Sequence, residues 1–271
     1  MNKWKPTIKK PNMIDYLMND KDEAKYVLRM IHNITTLRME DIKPILYSGK
    51  LDKEIFEELS KKVSKLKPMK NKSEFSYESR WKVIREQIKD LNVKSYLDFG
   101  GGDCEMAEFV CGKLSPSAKC YCADIEDWAE KTYYPDDKLS TKILINPVTN
   151  NVHYPSNSIE VITSIHVLHH IKDIYTSLSE IHRILKKSGL LIIREHDCPN
   201  MKKKYLIDIQ HLIWGVVMGG SSYDDFIDNY YGKYRNRKKW IDKISSHGMK
   251  LILDTKTKGV GNNFYMVFMK E

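Results

Sequence analysis

The sequence predicts an α/β protein: a mostly parallel sheet of seven strands that ends in an antiparallel hairpin, preceded by a helical extension. Three observations carry this. After residue 92, short β-type runs alternate with amphipathic segments, the rhythm of βαβ units. The first of those runs delivers three glycines, Gly100, Gly101 and Gly102, straight into a helix-like segment. The last two runs are separated by residues 259–263, short enough for a hairpin turn.

Residues 1–90 read as helices joined by polar turns. In residues 22–34, Ala24, Val27, Leu28 and Ile31 follow helical spacing, and in residues 52–66 Ile55, Phe56, Leu59 and Val63 do the same. Pro68 stops the second of these. Residues 70–73 read as a linker, and residues 76–91 as a further helix with Trp81, Ile84 and Ile88 on one side. Strands are expected at 95–99, 119–123, 141–145, 160–164, 190–194, 250–254 and 264–269. A helix is expected at 104–114 and another at 174–187, the latter capped by Gly189. The division expected is a helical N-terminal extension over 1–90 and a second domain over 91–271, with residues 197–248 inserted.

The chain has 271 residues, 41% hydrophobic and 30% charged, which excludes a disordered, collagenous or rod-like protein. No run approaches the ~20 apolar residues of a membrane span. Met1-Asn2-Lys3-Trp4-Lys5-Pro6 has no apolar stretch behind it, so no secretory signal is expected. Five cysteines without a CxxC pair argue against a disulfide framework and a zinc ribbon. Reduced thiols and a cytoplasmic location are expected, with Cys120 and Cys122 in the core. Lys and Arg number 45 against 36 Asp and Glu, a net charge of +9, which permits an acidic partner without requiring one.

The sharpest local signal is Leu97-Asp98-Phe99-Gly100-Gly101-Gly102-Asp103. Consecutive glycines let the backbone pass close under a ligand and present amide N–H groups at a helix start. The spacing is not that of a dinucleotide fingerprint, and no Lys-Ser/Thr follows as in a P-loop. Asp98 suits a ligand carrying an ammonium group. Asp124, at the tip of the second strand, suits the two hydroxyls of a ribose.

With these residues the sequence resembles the class I, Rossmann-like S-adenosylmethionine-dependent methyltransferases. The matching segments are Leu97-Asp98-Phe99-Gly100-Gly101-Gly102, Asp124, the run from Tyr154 to Ile162, then Val167-Leu168-His169-His170-Ile171-Lys172-Asp173 and the run from Leu178 to Ile193. They occur in the family's order and cover about residues 95–195. The resemblance implies that Asp98 and the backbone at Gly100, Gly101 and Gly102 hold the methionine part of S-adenosyl-L-methionine. Asp124 would bind the ribose and Ile125 would pack on the adenine. Asn146 stands where the family often has an acid that reaches the adenine amino group, and Ser164 and His166 would line the sulfonium side. Lys187-Ser188-Gly189 replaces the family's usual Pro-Gly-Gly, a structural departure only.

Methyl transfer from a sulfonium needs alignment, and a general base only where the accepting atom carries a proton. The candidates for that base are Glu195 and His196, just beyond the fifth strand, with Asp197, Asp208 and His211 as possible neighbours. The alternative is that Arg194, Glu195 and Asp197 pair with one another as a loop-fixing network. His169 and His170 read as architectural, and no ligand spacing supports a metal site. Residues 197–248 interleave aromatics (Tyr205, Trp214, Tyr230, Tyr234, Trp240) with Lys202, Lys203, Lys204, Arg235 and Arg237. That pattern fits an RNA acceptor, including a messenger cap, through stacking and phosphate contacts. It equally fits a helical lid over a small molecule; charge tips the balance to nucleic acid. The N-terminal helices are a candidate surface for a protein partner. Two other classes compete with the enzyme: a catalytically inactive scaffold that binds a protein or RNA, and a nicotinamide oxidoreductase, which the unspaced glycines disfavour.

Overall fold

The computed structural model describes residues 12–66, 72–125, 140–256 and 263–271, the side chains of 72–76 apart. In chain order its helices are α1 (Met13–Met18), α2 (Lys21–Thr35), α3 (Met39–Leu46), α4 (Asp52–Val63), α5 (Lys72–Ile88), α6 (Glu105–Cys111), α7 (Ile174–Ile184), α8 (Met201–Leu212), α9 (Tyr223–Asn229) and α10 (Arg237–Ser245). The strands are β1 (Ser95–Phe99), β2 (Lys119–Asp124), β3 (Ser140–Leu144), β4 (Ile159–Ile165), β5 (Leu185–His196), β6 (Met249–Lys256) and β7 (Asn263–Lys270). They form one sheet in the order β3-β2-β1-β4-β5-β7-β6, parallel through β5 and antiparallel across β5–β7 and β6–β7.

The described residues divide into two compact units. The helical unit takes in those of Met1–Met69 together with Asp197–Tyr234. Its core joins Ile14 and Leu17, Val27 and Ile31, Ile55 and Phe56 to Leu206, Ile209, Ile213 and Val217, so the N-terminal helices bury their apolar faces against the insert. Buried Asp52, at the start of α4, accepts the Met13 and Ile14 N–H groups at 2.9 and 3.0 Å and fixes α1. Lys202 pairs with Asp20 and Lys203 with Glu23 in the same unit.

The sheet unit takes in the described residues of Lys70–His196, Arg235–Thr257 and Asn263–Glu271. Strand alternation gives its two faces different clothing. Leu97, Ile162, Leu191, Ile193 and Phe268 pack with Leu178 and Ile181 of α7 and Trp240 and Ile244 of α10. Tyr96, Val161, Ile192, Tyr265 and Val267 pack with Trp81, Ile84 and Ile88 of α5 and Ala107 and Val110 of α6. All five residues of β1 are buried, as a central parallel strand requires. Strand order reverses beside β1, between β2 and β4, the place where such sheets open a crevice at their carboxyl ends.

Four expectations need correction. The insert and the N-terminal helices share one core, whereas α5 and α10 belong with the sheet; the unit boundaries fall near 69, 197 and 234 instead of at 90 and 248. The helix from Ile174 ends at Ile184, because Leu185 already has extended backbone and pairs with Ile159; Gly189 therefore lies inside β5 and caps nothing. Helix α5 begins at Lys72 within the expected linker, whose remaining residues lie outside the described ones, as do residues 259–262 of the expected hairpin turn.

The fourth concerns the thiols. Cys104 is bonded to Cys122 and Cys111 to Cys120, with Cα separations of 5.7 and 6.1 Å, and Cys198 is the free cysteine. Cys120 and Cys122 point to one face of β2, and Cys104 and Cys111 lie seven residues apart at the two ends of α6 above that face. The pairing is set by the packing of α6 on β2, which a count of cysteines does not reveal.

Candidate active site

The turn after β1 is built by backbone. Gly100 and Gly102 have φ of +78° and +56°, the left-handed region that favours glycine. A side chain at Gly100 would collide with that of Val167, and a Cβ at Gly101 would stand 2.6 Å from the Cys122 sulfur. At Gly102 nothing lies within 4 Å of that position. The Gly100 and Gly101 N–H groups both donate to the Ala123 carbonyl, at 2.7 and 3.2 Å, and the Gly102 N–H donates to Asp124 Oδ2 at 2.8 Å. The glycine amides thus lock the tip of β1 to the tip of β2. Of the three, only Gly102 faces open space.

Asp98 is buried, and its Oδ1 accepts the Thr163 hydroxyl at 2.6 Å, with Tyr96 OH a further 2.7 Å from that oxygen. Burial raises its carboxyl to about 6, against the smaller downward pull of Thr163 and of the Arg80 charge. Thr163 escaped the sequence reading, although it lies directly opposite Asp98 in the β1–β4 register. Ser164, its neighbour, points to the opposite face of the sheet and is not brought to Asp98.

Asp124 Oδ1 also accepts the Ile125 N–H at 2.7 Å. Ile125 is half exposed and lines a cleft of about 360 Å³ with Leu144, Asn146, Pro147, Thr149 and His153. Asn146 joins that wall, but its side-chain oxygen accepts the Val148 and Thr149 N–H groups at 2.9 and 3.0 Å. Its amide nitrogen is therefore the end suited to a ligand.

Beyond β4 and β5 stands a group of imidazoles. His166 follows β4 with φ +60°, its N–H donating to the Arg194 carbonyl at 2.8 Å. Its Nδ1 meets His196 Nε2 at 3.0 Å, while its own Nε2 is buried without a hydrogen-bond partner. Glu195 and His169 are fully buried and joined at 2.6 Å through Oε2 and Nδ1; among the described residues Glu195 Oε1 has no hydrogen-bond partner. Burial raises Glu195 to about 7 and lowers His196 to about 3, and it pushes His166 and His169 well below the usual histidine range. The reading of His169 as architectural thus misses its contact with a candidate base. A histidine in a short turn before a helix carries no signal that it reaches the end of a strand 26 residues on.

The remaining candidates belong to the helical unit. Asp208 is buried beside Lys204, 3.1 Å away, and burial raises it to about 6. His211 Nδ1 donates to the Ile207 carbonyl at 2.8 Å, with Tyr234 OH at 3.3 Å. Asp197 opens the insert and is only partly buried.

Residues 97–193 match the family described as "Methyltransferase domain". No curated protein matches the chain in sequence. Among solved structures, that of the CurJ carbon methyltransferase is similar over 94% of this chain and 69% of its own, with 16% identity and a TM-score of 0.54. An S-adenosylmethionine-dependent methyltransferase from Mesorhizobium loti matches over 70% of this chain and 97% of its own, with 11% identity and a TM-score of 0.52. A Haloferax volcanii protein solved in complex with the Trm112 methyltransferase activator matches over 75% and 99%, with 10% identity and a TM-score of 0.50. At such identities the likeness is one of fold, and it coincides with the family match on the same strands. Residues 97–193 thus match the methyltransferase domain family, and the sheet that carries them has the class I, Rossmann-like fold of the S-adenosylmethionine-dependent methyltransferases.

Proposed function

We propose that the protein transfers a methyl group from S-adenosyl-L-methionine to a small acceptor. The observation that carries the reading is the pair of carboxyls, Asp98 and Asp124, at the tips of β1 and β2, joined by a turn with one glycine left open to a ligand. Asp98 is a buried carboxyl without an ion-pair partner, so an α-ammonium group fits it. Asp124 is a carboxylate at the tip of β2, the group that ribose hydroxyls donate to, and the cleft beside Ile125 has the size and the apolar wall for an adenine. When bound, the cofactor supplies an activated methyl group, and the protein aligns the acceptor with it.

His169 and Glu195 are the proton-accepting pair in this reading. With Glu195 ionised, His169 donates Nδ1–H to it, and the carboxylate favours a proton passing from the acceptor to the imidazole. His196 holds His166 in the same manner, through one nitrogen.

The insert supports a small acceptor over RNA. Tyr205 is buried in the core, and Tyr223, Phe226 and Tyr230 pack against it, leaving few faces for bases. Lys202, Lys203 and Lys204 pair with Asp20, Glu23 and Asp208, and Trp240 lies inside the sheet unit. Among the described aromatics of the insert Trp214 alone is in the exposed class, at about half, and the partly buried tyrosines offer less of a face for base stacking.

The test is calorimetry with S-adenosylhomocysteine followed by transfer of tritiated methyl groups into separate RNA, protein and low-molecular-weight extracts. Saturable binding with label in the low-molecular-weight extract is expected. Binding without transfer into any extract makes the protein a scaffold, and label confined to RNA restores the nucleic-acid reading.

A further inference from the structure

Most charged side chains of the sheet unit have partners. Arg183 holds Glu180, Arg237 holds Asp254, and Lys186 holds Glu160. Two arginines stand apart. Among the described residues Arg80 and Arg194 form no ion pair, and the Nε of each is buried without a hydrogen-bond partner. Both are only partly exposed.

Their placement follows from the fold. Arg194 shares the face of Ile192 and Leu190 on β5, the face that carries Asp98 on β1 and Thr163 on β4. Arg80 precedes Trp81 on α5, the helix packed on that same face. Arg194 sits opposite Tyr265 of β7, its guanidinium carbon 5.8 Å from the ring centre, and that of Arg80 is 5.7 Å from the ring centre of Tyr77. His166, whose Nε2 is a further buried nitrogen without a partner among the described residues, donates its backbone N–H to the Arg194 carbonyl. The charges feel one another: burial and then the nearby Arg80 hold Arg194 below the usual arginine range, and Arg80 and Arg194 both act against a proton on His166.

The carboxyls of Asp98 and Asp103 lie near Arg80 and that of Glu195 near Arg194, yet among the described residues neither guanidinium closes an ion pair, and each keeps a buried Nε–H that is costly to leave unused. An oxyanion matches their fork geometry and takes charge-assisted hydrogen bonds from both. We propose that Arg80 and Arg194 form an oxyanion site that anchors a carboxylate or phosphate group of the methyl acceptor, another atom of which receives the methyl group. This rests on the methyltransferase reading, and it specifies the acceptor as a small acid. The methionine carboxylate of the cofactor shares the chemistry, so the test separates the two sources.

The experiment uses the whole chain and the variants Arg80→Gln, Arg194→Gln and Arg194→Lys. Binding of S-adenosylhomocysteine and of 5′-methylthioadenosine, which lacks the amino-acid part, is measured by calorimetry. Methyl transfer is then assayed on low-molecular-weight extract split beforehand on an anion exchanger. The expected result is label only with the retained, acidic fraction, a loss of about tenfold or more in each Gln variant, and partial recovery in Arg194→Lys. Affinity for both nucleosides stays within about twofold, which also shows that the variants fold. Acceptor activity in the unretained fraction overturns the inference. So does weakened binding of S-adenosylhomocysteine, but not of 5′-methylthioadenosine, in the Gln variants, since the anion is then the cofactor's own. Failure of the wild type to bind either nucleoside defeats the methyltransferase reading itself, whereas binding with neutral acceptors defeats this inference alone.

Discussion

A carboxyl sealed from water holds its proton more tightly than an exposed one, and Asp98, raised to about 6 at the tip of β1, is ionised at neutral pH at a cost that an arriving cation relieves. Asp98→Asn keeps the shape and the Thr163 contact but removes the charge. Calorimetry should then find S-adenosylhomocysteine binding weakened by about tenfold to a hundredfold, with a melting temperature no lower than wild type, because charged-group burial is relieved. Glu195 works with the opposite purpose. Its folded pKa of about 7 means that the ionised form, which accepts the His169 Nδ1–H, grows in as pH rises through neutrality. Transfer rate should therefore climb from pH 6 to 8 and level off, and Glu195→Gln should lose that rise along with about a hundredfold or more in rate. A rate that is flat over this range removes the pair from the chemistry. At this scale the sequence disclosed Asp98, Asp124 and Glu195, because acids at strand tips stand out. It gave no sign of the Thr163 hydroxyl on Asp98, of the His169 contact with Glu195 or of the packing that brings the helix of Arg80 onto that face, which exist only through register and helix packing.

The glycine turn is the element on which both carboxyls depend. Gly100→Ala adds a Cβ where φ is +78° and where Val167 already stands, so it should cost about 1–3 kcal/mol in denaturant unfolding and weaken the cofactor product in parallel. The adjoining α6 is tied to β2 by the two cysteine pairs, which close segments of 18 and 9 residues in sequence separation. Removing the longer with Cys104→Ser should lower stability by about 2–3 kcal/mol under non-reducing conditions, read as a drop in melting temperature that strong reductant produces in the wild type as well. Equal melting with and without reductant would refute it. Strands were legible because buried parallel strands are near-continuous apolar runs. The C-terminus of α7 was not, since Leu185 continues the helical stripe in sequence while its backbone pairs with Ile159. Helix α3 was missed through Pro44, which sits inside it.

At the scale of the molecule, the order of the motifs conveyed the family and the sheet. The partnership of the N-terminal helices with residues 197–234 was invisible, because nothing in a linear pattern says which of several amphipathic helices will share a core. The same packing turns a net charge of +9 into a weak guide to partners, as the insert's lysines already face acids. Fluorescence polarisation with a single-stranded RNA should accordingly show only salt-sensitive association at about 1–100 μM, the range of non-specific contacts. Nanomolar binding would contradict it.

The crowd of histidines at the ends of β4 and β5 has a consequence for acid. His166, His169 and His196 resist protonation in the folded chain, whereas the unfolded chain protonates them below about pH 6.5. Asp98, Glu195 and Asp208 lean the other way: raised by burial, they favour the folded chain most below about pH 4 and lose that contribution as pH climbs through 6 to 7. Between those limits, three groups that take up protons on unfolding oppose three that release them, and stability should change little. Under about pH 4 these three carboxyls fall silent, while the imidazoles, joined by the partnered carboxylates Asp20, Asp41, Glu86, Asp173 and Glu180, still draw protons into the unfolded chain. Collapse in acid should then be abrupt, with a slope of up to about 4 kcal/mol per pH unit from the three imidazoles alone.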